Sequence, residues 1–380
     1  MKKRLFGAFA VPLIAVLFAG CGPSASSTAV LPVSGSAAFP DKHNNSFVQT
    51  FERASGTVYL YDGDGGWNDV TPPDIPARER VSDGLFLDRN TGWAASWDWT
   101  AEQPSDITVY RTSDGGDEWK ASTIRDIFVR GLEMDFVSAD DGWMLVHQDA
   151  WTGGEAVTVL RTTDGGAAWT AVSVSNGLDA GSTADSLPGK TSIVFYDADV
   201  GYAPMNNASY SIILYATRDG GQTWRQESVP FPDAGANACY CNYTPVFFPD
   251  GEGILPIIGD RGGDSYTLYL YTAPCAGAAW SLSSEADGLV PEGGLYGLCL
   301  RAFSSDGKSG YVTDCTSIFS LRDGKWTRSA LPALRAIITN AYPSKMMLTD
   351  ENTLWFAYEF GNYTLKSTDG GHTWVKVQIP

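Results

Sequence analysis

The chain reads as all-β, a single β-propeller of seven four-stranded blades, and three observations predict it. An eight-residue box, Ser/Thr-x-Asp-Gly-Gly-x-x-Trp, occurs at Thr112–Trp119, Thr162–Trp169, Thr217–Trp224 and Ser367–Trp374. Weaker copies at Asp62–Trp67, Ala273–Trp280 and Arg322–Trp326 bring the tryptophans of all seven to a spacing of 46–56 residues, the length of one blade. A second motif runs in phase with the first: Phe86…Gly92-Trp93, Phe136…Gly142-Trp143 and Phe195…Gly201-Tyr202, with looser forms at Phe247…Gly253, Phe303…Gly310-Tyr311 and Leu348…Leu354-Trp355.

Each part of the box has a mechanical reason. The aspartates (Asp62, Asp114, Asp164, Asp219, Asp323, Asp369) are expected to accept backbone N–H groups two or three residues on and so close a turn. Paired glycines supply the positive φ that other residues resist. The tryptophan opens the next strand and covers the turn. Asp62-Gly63-Asp64 lacks the further ligands of a calcium loop and reads as a plain turn. In blade five, Cys275 stands where the aspartate belongs, and in blade six the box is two residues short.

In chain order, the Phe ends an innermost strand and the Gly-aromatic pair starts the second. The third, such as Ile107–Arg111, runs into the box, and the fourth begins at the box Trp. The first blade is the least regular, since Ser46–Ala54 lacks the Gly-aromatic pair. Closure there recruits Ala29–Val33, or the count is six with an irregular cap.

The clean boxes resemble the Asp-box, or bacterial neuraminidase repeat, superfamily. The combined rhythm is most similar to the photosystem II assembly/stability factor type of propeller, and similar also to sortilin ectodomains and sialidases. The resemblance covers roughly residues 46–380. It implies the fold; a basic patch, known in the photosystem type, is matched here at three positions only.

Residues 1–20 carry Met1-Lys2-Lys3-Arg4, an apolar stretch from Leu5 to Ala19, and then Leu17-Phe18-Ala19-Gly20-Cys21, similar to a bacterial lipobox. The expectation is a signal peptide removed on export, with Cys21 the lipidated terminus. Residues 21–45, rich in Ser, Ala, Pro and Gly, form a tether, and 46–380 the propeller. The chain is expected outside the cytoplasm, lipid-anchored to the membrane and monomeric.

Charge narrows the partners. Without Lys2, Lys3 and Arg4, 23 basic residues face 44 acidic ones, a net −21. So acidic a domain repels nucleic acid and anionic headgroups. Five further cysteines fit an oxidising exterior. Cys299 and Cys315 flank one turn of blade six and are disulfide candidates. Cys275 is expected to pair with Cys239 or Cys241; a zinc site at these three is the lesser reading, with only three histidines in the chain. No metal or other cofactor is expected.

Function is sought, by analogy with other propellers, where innermost strands start and second strands turn into third ones. Trp97, Trp99 and Trp151 fall in those loops of blades two and three and are expected to project as a protein- or sugar-binding cluster. Packing onto the blade rim is the competing reading. Arg80, Arg130 and Lys190, five or six residues before the Phe of their blades, are expected to ring the channel mouth and hold an anion or balance nearby carboxylates. A sialidase-like glycoside hydrolase would need an arginine triad, a Tyr–Glu pair and an Asp acid. Glu133, Glu155, Asp98 and Asp149 lie near this face, but no spacing singles out a catalytic pair. The expectation is therefore a non-catalytic scaffold for a protein or glycan partner, with the glycosidase as the alternative.

Overall fold

A computed structural model describes residues 42–49, 56–101, 104–151, 154–176, 187, 191–205, 212–230, 239–260, 266–289, 300–313, 317–322, 324–331, 343–358 and 362–380, all within the unit Ser36–Pro380. Cys21, Ala29–Val33, Lys190, Cys299, Cys315 and Asp323 lie outside them, as do the side chains of Trp151, Cys239 and Cys241.

Seven antiparallel sheets follow one another, and no helix occurs among the described residues. Blade one holds β1 (Ser46–Gln49), β2 (Thr57–Tyr61) and β3 (Trp67–Asp69). Blade two holds β4 (Arg80–Phe86), β5 (Gly92–Trp97), β6 (Ser105–Thr112) and β7 (Lys120–Ile127); blade three holds β8 (Gly131–Phe136), β9 (Gly142–Trp151), β10 (Gly154–Thr162) and β11 (Thr170–Ser175). In blade four these are β12 (Val194–Phe195), β13 (Gly201–Pro204), β14 (Leu214–Thr217) and β15 (Arg225–Glu227). Blade five splits its inner position between β16 (Cys239–Asn242) and β17 (Val246–Phe247), both paired with β18 (Gly253–Asp260), before β19 (Tyr266–Ala273) and β20 (Ser281–Leu289). Blade six is β21 (Leu300–Phe303), β22 (Ser309–Thr313), β23 (Ser317–Arg322) and β24 (Lys325–Ala330); blade seven is β25 (Pro343–Leu348), β26 (Leu354–Tyr358), β27 (Tyr363–Ser367) and β28 (Val375–Gln378). The expected strand boundaries therefore hold, and the count is seven. Among the described residues blade one has three strands, and β1 lies innermost, against β4.

The boxes work somewhat differently from expectation. In each clean copy the aspartate accepts from the N–H four residues on: Glu118 N–Asp114 at 3.0 Å, Ala168 N–Asp164 at 2.9 Å, Thr223 N–Asp219 at 2.9 Å and Thr373 N–Asp369 at 2.8 Å. Among the described box aspartates the two-residue reach occurs in the blade-one copy, from Asp64 N to Asp62 at 2.7 Å. The opening Ser or Thr is equally involved. Thr217 Oγ1 donates to Asp219 at 2.8 Å and accepts from Gly221 N at 2.9 Å, which folds the loop into a closed knot. Gly220 and Gly221 sit at φ 70° and 91°, a region from which a side chain is sterically repelled. Asp219→Ala removes the acceptor for Thr217, Thr223 N and the Thr223 hydroxyl. It is expected to cost about 2 kcal/mol, read by urea denaturation.

The second motif explains how blades join. The glycine lies beneath the Phe of its own blade: a Cβ on Gly142 would stand 2.3 Å from the Phe136 ring, and one on Gly92 2.4 Å from Phe86. The aromatic after it reaches the following blade. Trp93 stacks on Phe136 at 3.7 Å and donates to the Gly165 carbonyl of the next box at 2.9 Å. Trp143 repeats this with Phe195 (3.7 Å) and Gly220 (2.9 Å). Tyr202 stacks on Phe247 at 5.1 Å and accepts from Gly277 N at 2.8 Å. Phe86, Phe136 and Phe195 in turn meet their own box tryptophans edge-on, and Phe247 meets Trp280 at a tilt. Cations brace the same rings: Arg111 over Trp93, Arg161 over Trp143, Arg322 over Tyr311 and Lys366 over Trp355. Ring closure uses a variant of this device, with the Trp355 N–H turned to Thr349 of its own blade. Trp355 of blade seven meets Trp67 of blade one at 5.5 Å, Phe47 meets Trp67 at 4.9 Å, and Lys366 donates to Gly65 O at 3.3 Å.

Candidate functional site

The antiparallel order sorts the turns onto two faces. Boxes and inner-strand ends share one, the box face. Inner-strand starts and second-to-third-strand loops share the other, the loop face. The axial channel runs between them.

On the loop face the predicted residues separate. Trp97 ends β5 but does not project: it is buried, 8 % exposed, and packs with Ile107, Val129, Leu132 and Met134. Every residue of β5 is buried, so the strand leaves no side of itself to solvent. Trp99 is 54 % exposed. It rides a turn fixed by Asp98, which accepts from Thr100 N at 2.9 Å and the Thr100 hydroxyl at 2.6 Å. That hydroxyl bond holds the Asp98 carboxyl below the usual carboxylate range. Trp151 ends β9 opposite Gly154, at the tip of a long hairpin.

Arg80 opens β4 at the channel mouth, half-buried. Arg130, just before β8, faces Asp149 at 3.7 Å and covers Phe128. Its charge is therefore balanced locally. At the base of the same hairpin His147 Nδ1 stands 3.3 Å from Glu155.

Beneath this face the inner strands carry a polar belt that links blade to blade, which the sequence reading missed. Asp83 accepts from Met134 N of blade three at 2.6 Å, and Glu133 from Ile193 N ahead of β12 at 2.8 Å. Asp135 accepts from Phe195 N at 2.6 Å, Ser192 and Thr244 share a hydrogen bond of 2.9 Å, and Arg301 donates to Thr244 O at 3.2 Å. Asp83, Glu133, Ser192 and Thr244 each stand three residues before the Phe of their strand. That polar recurrence was the available signal. Burial, then the neighbouring Asp83 and Asp135, push Glu133 up to about 8, against the single N–H bond that favours its charge. Burial also raises Asp83.

The box-face end of the channel is occupied by residues that the sequence places in the tether. Lys42 Nζ donates to Asp135 at 2.5 Å and to Phe136 O at 3.0 Å. Asn44 spans blades six and seven, donating to Phe303 O and accepting from Leu348 N, while Asn45 donates to Phe86 O at 2.9 Å. These three residues act as an axial pin across blades two, three, six and seven. His43 is enclosed among them. Burial, with Lys42, Lys345 and Arg301 nearby, lowers it to about 3, so it is neutral.

In blade five, Cys275 is in a disulfide, at the turn position that an aspartate holds elsewhere. No group of three or more His, Cys, Asp or Glu able to hold a metal is present among the described residues.

No family model matches the chain, and no curated protein matches it. Among solved structures it is similar to a GH74 xyloglucanase from Xanthomonas campestris, at 17% identity and a TM-score of 0.52 over 89% of this chain and 54% of that one. The chain thus spans about half the length of that enzyme. It is also similar to YCF48 bound to D1 peptide, at 17% identity and a TM-score of 0.46 over 87% and 86% of the two chains. A PL25 ulvan lyase matches at 8% identity and a TM-score of 0.40 over 90% of this chain and 86% of that one. The likeness to the xyloglucanase is one of fold alone, and with seven successive antiparallel sheets the chain is a seven-bladed β-propeller.

Proposed function

We propose that the chain is a non-catalytic binding propeller of the Asp-box type, carried outside the cytoplasm on a lipid at Cys21, whose loop face around Trp99 takes a protein or glycan partner. The observation that carries this reading is the contrast between Trp99 and the carboxylates of blades two and three that the sequence offers as catalytic candidates. Trp99 is a large apolar ring held in water on a rigid turn, the usual form of a binding hot spot. The carboxylates that a glycosidase would use already have partners. Glu133 takes Ile193 N, Asp98 caps its own turn, Asp149 faces Arg130 and Glu155 faces His147. On the same reading, residues 1–20 are removed on export, 22–45 begin as a tether, and the bond at Cys275 runs to Cys239 or Cys241. With its net charge of −21, the mature domain favours a partner that is cationic or neutral.

Trp99→Ala tests the face. It is expected to weaken capture of the native partner from solubilised membranes about 30-fold, while the melting temperature stays put because the ring is exposed. Capture unchanged in the variant moves the site elsewhere. Release of sialic acid or a reducing sugar by the purified chain, abolished by Glu133→Gln or Glu155→Gln, favours the glycosidase instead.

A further inference from the structure

The box-face mouth of the channel holds an apolar cup, a cavity of about 240 Å³. The inner strands of blades three, four and five end on it with Phe136, Phe195 and Phe247, and the residue after each, Val137, Tyr196 and Phe248, lines it as well. Leu87 stands at the same point in blade two. Apolar residues therefore recur at this position in four successive blades, whereas blades six and seven have Ser304 and Thr349 there. Leu87, Val137, Tyr196 and Phe247 are only half-buried, which leaves apolar surface at the mouth. A pocket for a drug-sized ligand takes about 300 Å³ or more; this smaller volume suits one bulky side chain.

The loops around the mouth decide what enters. In blades two to seven each inner strand joins its second strand through five residues: 87–91, 137–141, 196–200, 248–252, 304–308 and 349–353. These six loops carry ten carboxylates and two cations, Arg89 and Lys308. Asp140, Asp141, Asp306 and Glu351 face Arg111, Arg161, Lys308 and Arg322. The other six, Asp88, Asp197, Asp199, Asp250, Glu252 and Asp350, are exposed and enter no ion pair among the described residues. Four of them belong to blades four and five, where Asp197 directly follows Tyr196 and Asp250 directly follows Pro249 of the cup wall. Their own turns hold them in place: Asp197 accepts from Asp199 N at 2.9 Å and Val200 N at 2.7 Å, and Asp250 from Glu252 N at 3.0 Å.

We propose that the cup is a docking site for a basic segment of a partner protein. One aromatic side chain of that segment seats against Tyr196 and Phe247, and lysines or arginines on either side of it meet the carboxylates of blades four and five. The aromatic anchor supplies the affinity and the rim selects the sign of charge. Charge complementarity singles out this occupant. A second copy of the chain would bring the same acidic rim and be repelled, and an uncharged small molecule would leave the rim unused. The site lies on the face opposite Trp99 and does not rest on the reading given above.

Fluorescence anisotropy on the full chain tests this with a fluorescein-labelled, amidated peptide that has one phenylalanine between two lysines on each side. Binding is expected, and it should weaken as salt screens the rim. Replacing the lysines by glutamates, or the phenylalanine by alanine, should weaken it about tenfold or more. Tyr196→Ala is expected to cost about tenfold in affinity. Asp197→Asn combined with Asp250→Asn keeps the turn acceptors, so the fold stays intact; it should cost about tenfold and flatten the salt dependence. No binding, equal binding of either altered peptide, or full affinity in either variant overturns the proposal. So does loss of binding in Trp99→Ala with Tyr196→Ala unaffected, which would put the peptide on the loop face.

Discussion

Trp143→Ala is expected to cost about 3–5 kcal/mol, the largest single effect foreseen for any side chain of the inter-blade seam. Three losses coincide. The indole is fully buried and lies flat on Phe195 of the next blade, with 4° between the ring planes. Its N–H satisfies the Gly220 carbonyl inside the next box. Its other face carries the Arg161 guanidinium at 5.0 Å, which Asp141 also holds at 3.3 Å. Removing the ring leaves a cavity, an unpaired carbonyl and a loosened cation at one seam. The melting temperature should fall by roughly 10 °C. Trp143→Phe keeps most of the stack but not the hydrogen bond, and should cost about 1–2 kcal/mol. Denaturation in guanidinium, followed by tryptophan-independent circular dichroism, reads both. A cost below about 1 kcal/mol for Trp143→Ala would mean the blades are held by something else.

The second large effect is a loss of stability on the alkaline side. Glu133 is raised from 4.5 to about 8 by burial and by the neighbouring Asp83 and Asp135. The folded state therefore holds this proton more tightly than the unfolded chain. Its contribution is complete below pH 4.5 and declines through pH 8, at up to about 1.4 kcal/mol per pH unit. His43 works in the opposite sense. Lowered from 6.5 to about 3, it stabilises above 6.5 and loses that contribution as the pH falls. The two slopes oppose each other between about 4.5 and 6.5, leaving Glu133 alone from 6.5 to 8. Asp83, raised by burial, adds to the alkaline decline, and the nearby Lys345 moderates its share. On the acid side, the box aspartates Asp114 and Asp164 are held low, first by the N–H groups of Glu118 and Ala168. Their contribution disappears below the ordinary carboxylate range. The expected urea midpoint is thus broad and highest at mildly acidic pH, falling by a few kcal/mol equivalent towards pH 8. Glu133→Gln keeps an acceptor for Ile193 N and should flatten that alkaline limb. A wild-type midpoint unchanged from pH 6.5 to 8.5 would refute this.

The repeat rhythm made the fold legible because its causes are local. A Gly under a Phe ring and a Ser/Thr-x-Asp-Gly-Gly knot each occupy a few consecutive residues, so their spacing shows in the sequence. What Trp93 and Trp143 do was not legible, since each acts on a residue more than 40 positions away. The pin at Lys42–Asn45 was hidden for a related reason. Its bonds run to strand ends in four blades and leave no periodic trace, so a polar stretch beside a tether looked like more tether. Trp97 and Trp99 show the limit for the candidate face: two positions apart, one packs beneath blade three and the other stands in water. Local composition cannot distinguish them, because the difference lies in the neighbouring blade. The polar residues at Asp83, Glu133, Ser192 and Thr244 do recur in register, three residues before the Phe of their blades, and are the one trace of the belt that the sequence carries.

The loop face, the box face and the axial pin exist as described when blade seven closes on blade one. A double-mutant cycle between Trp67 and Trp355, whose rings stand 5.5 Å apart edge to face across that seam, measures this directly. With Trp67→Leu, Trp355→Leu and the double variant, the predicted coupling is about 0.5–1.5 kcal/mol. Strict additivity of the two single losses would contradict ring closure at this seam.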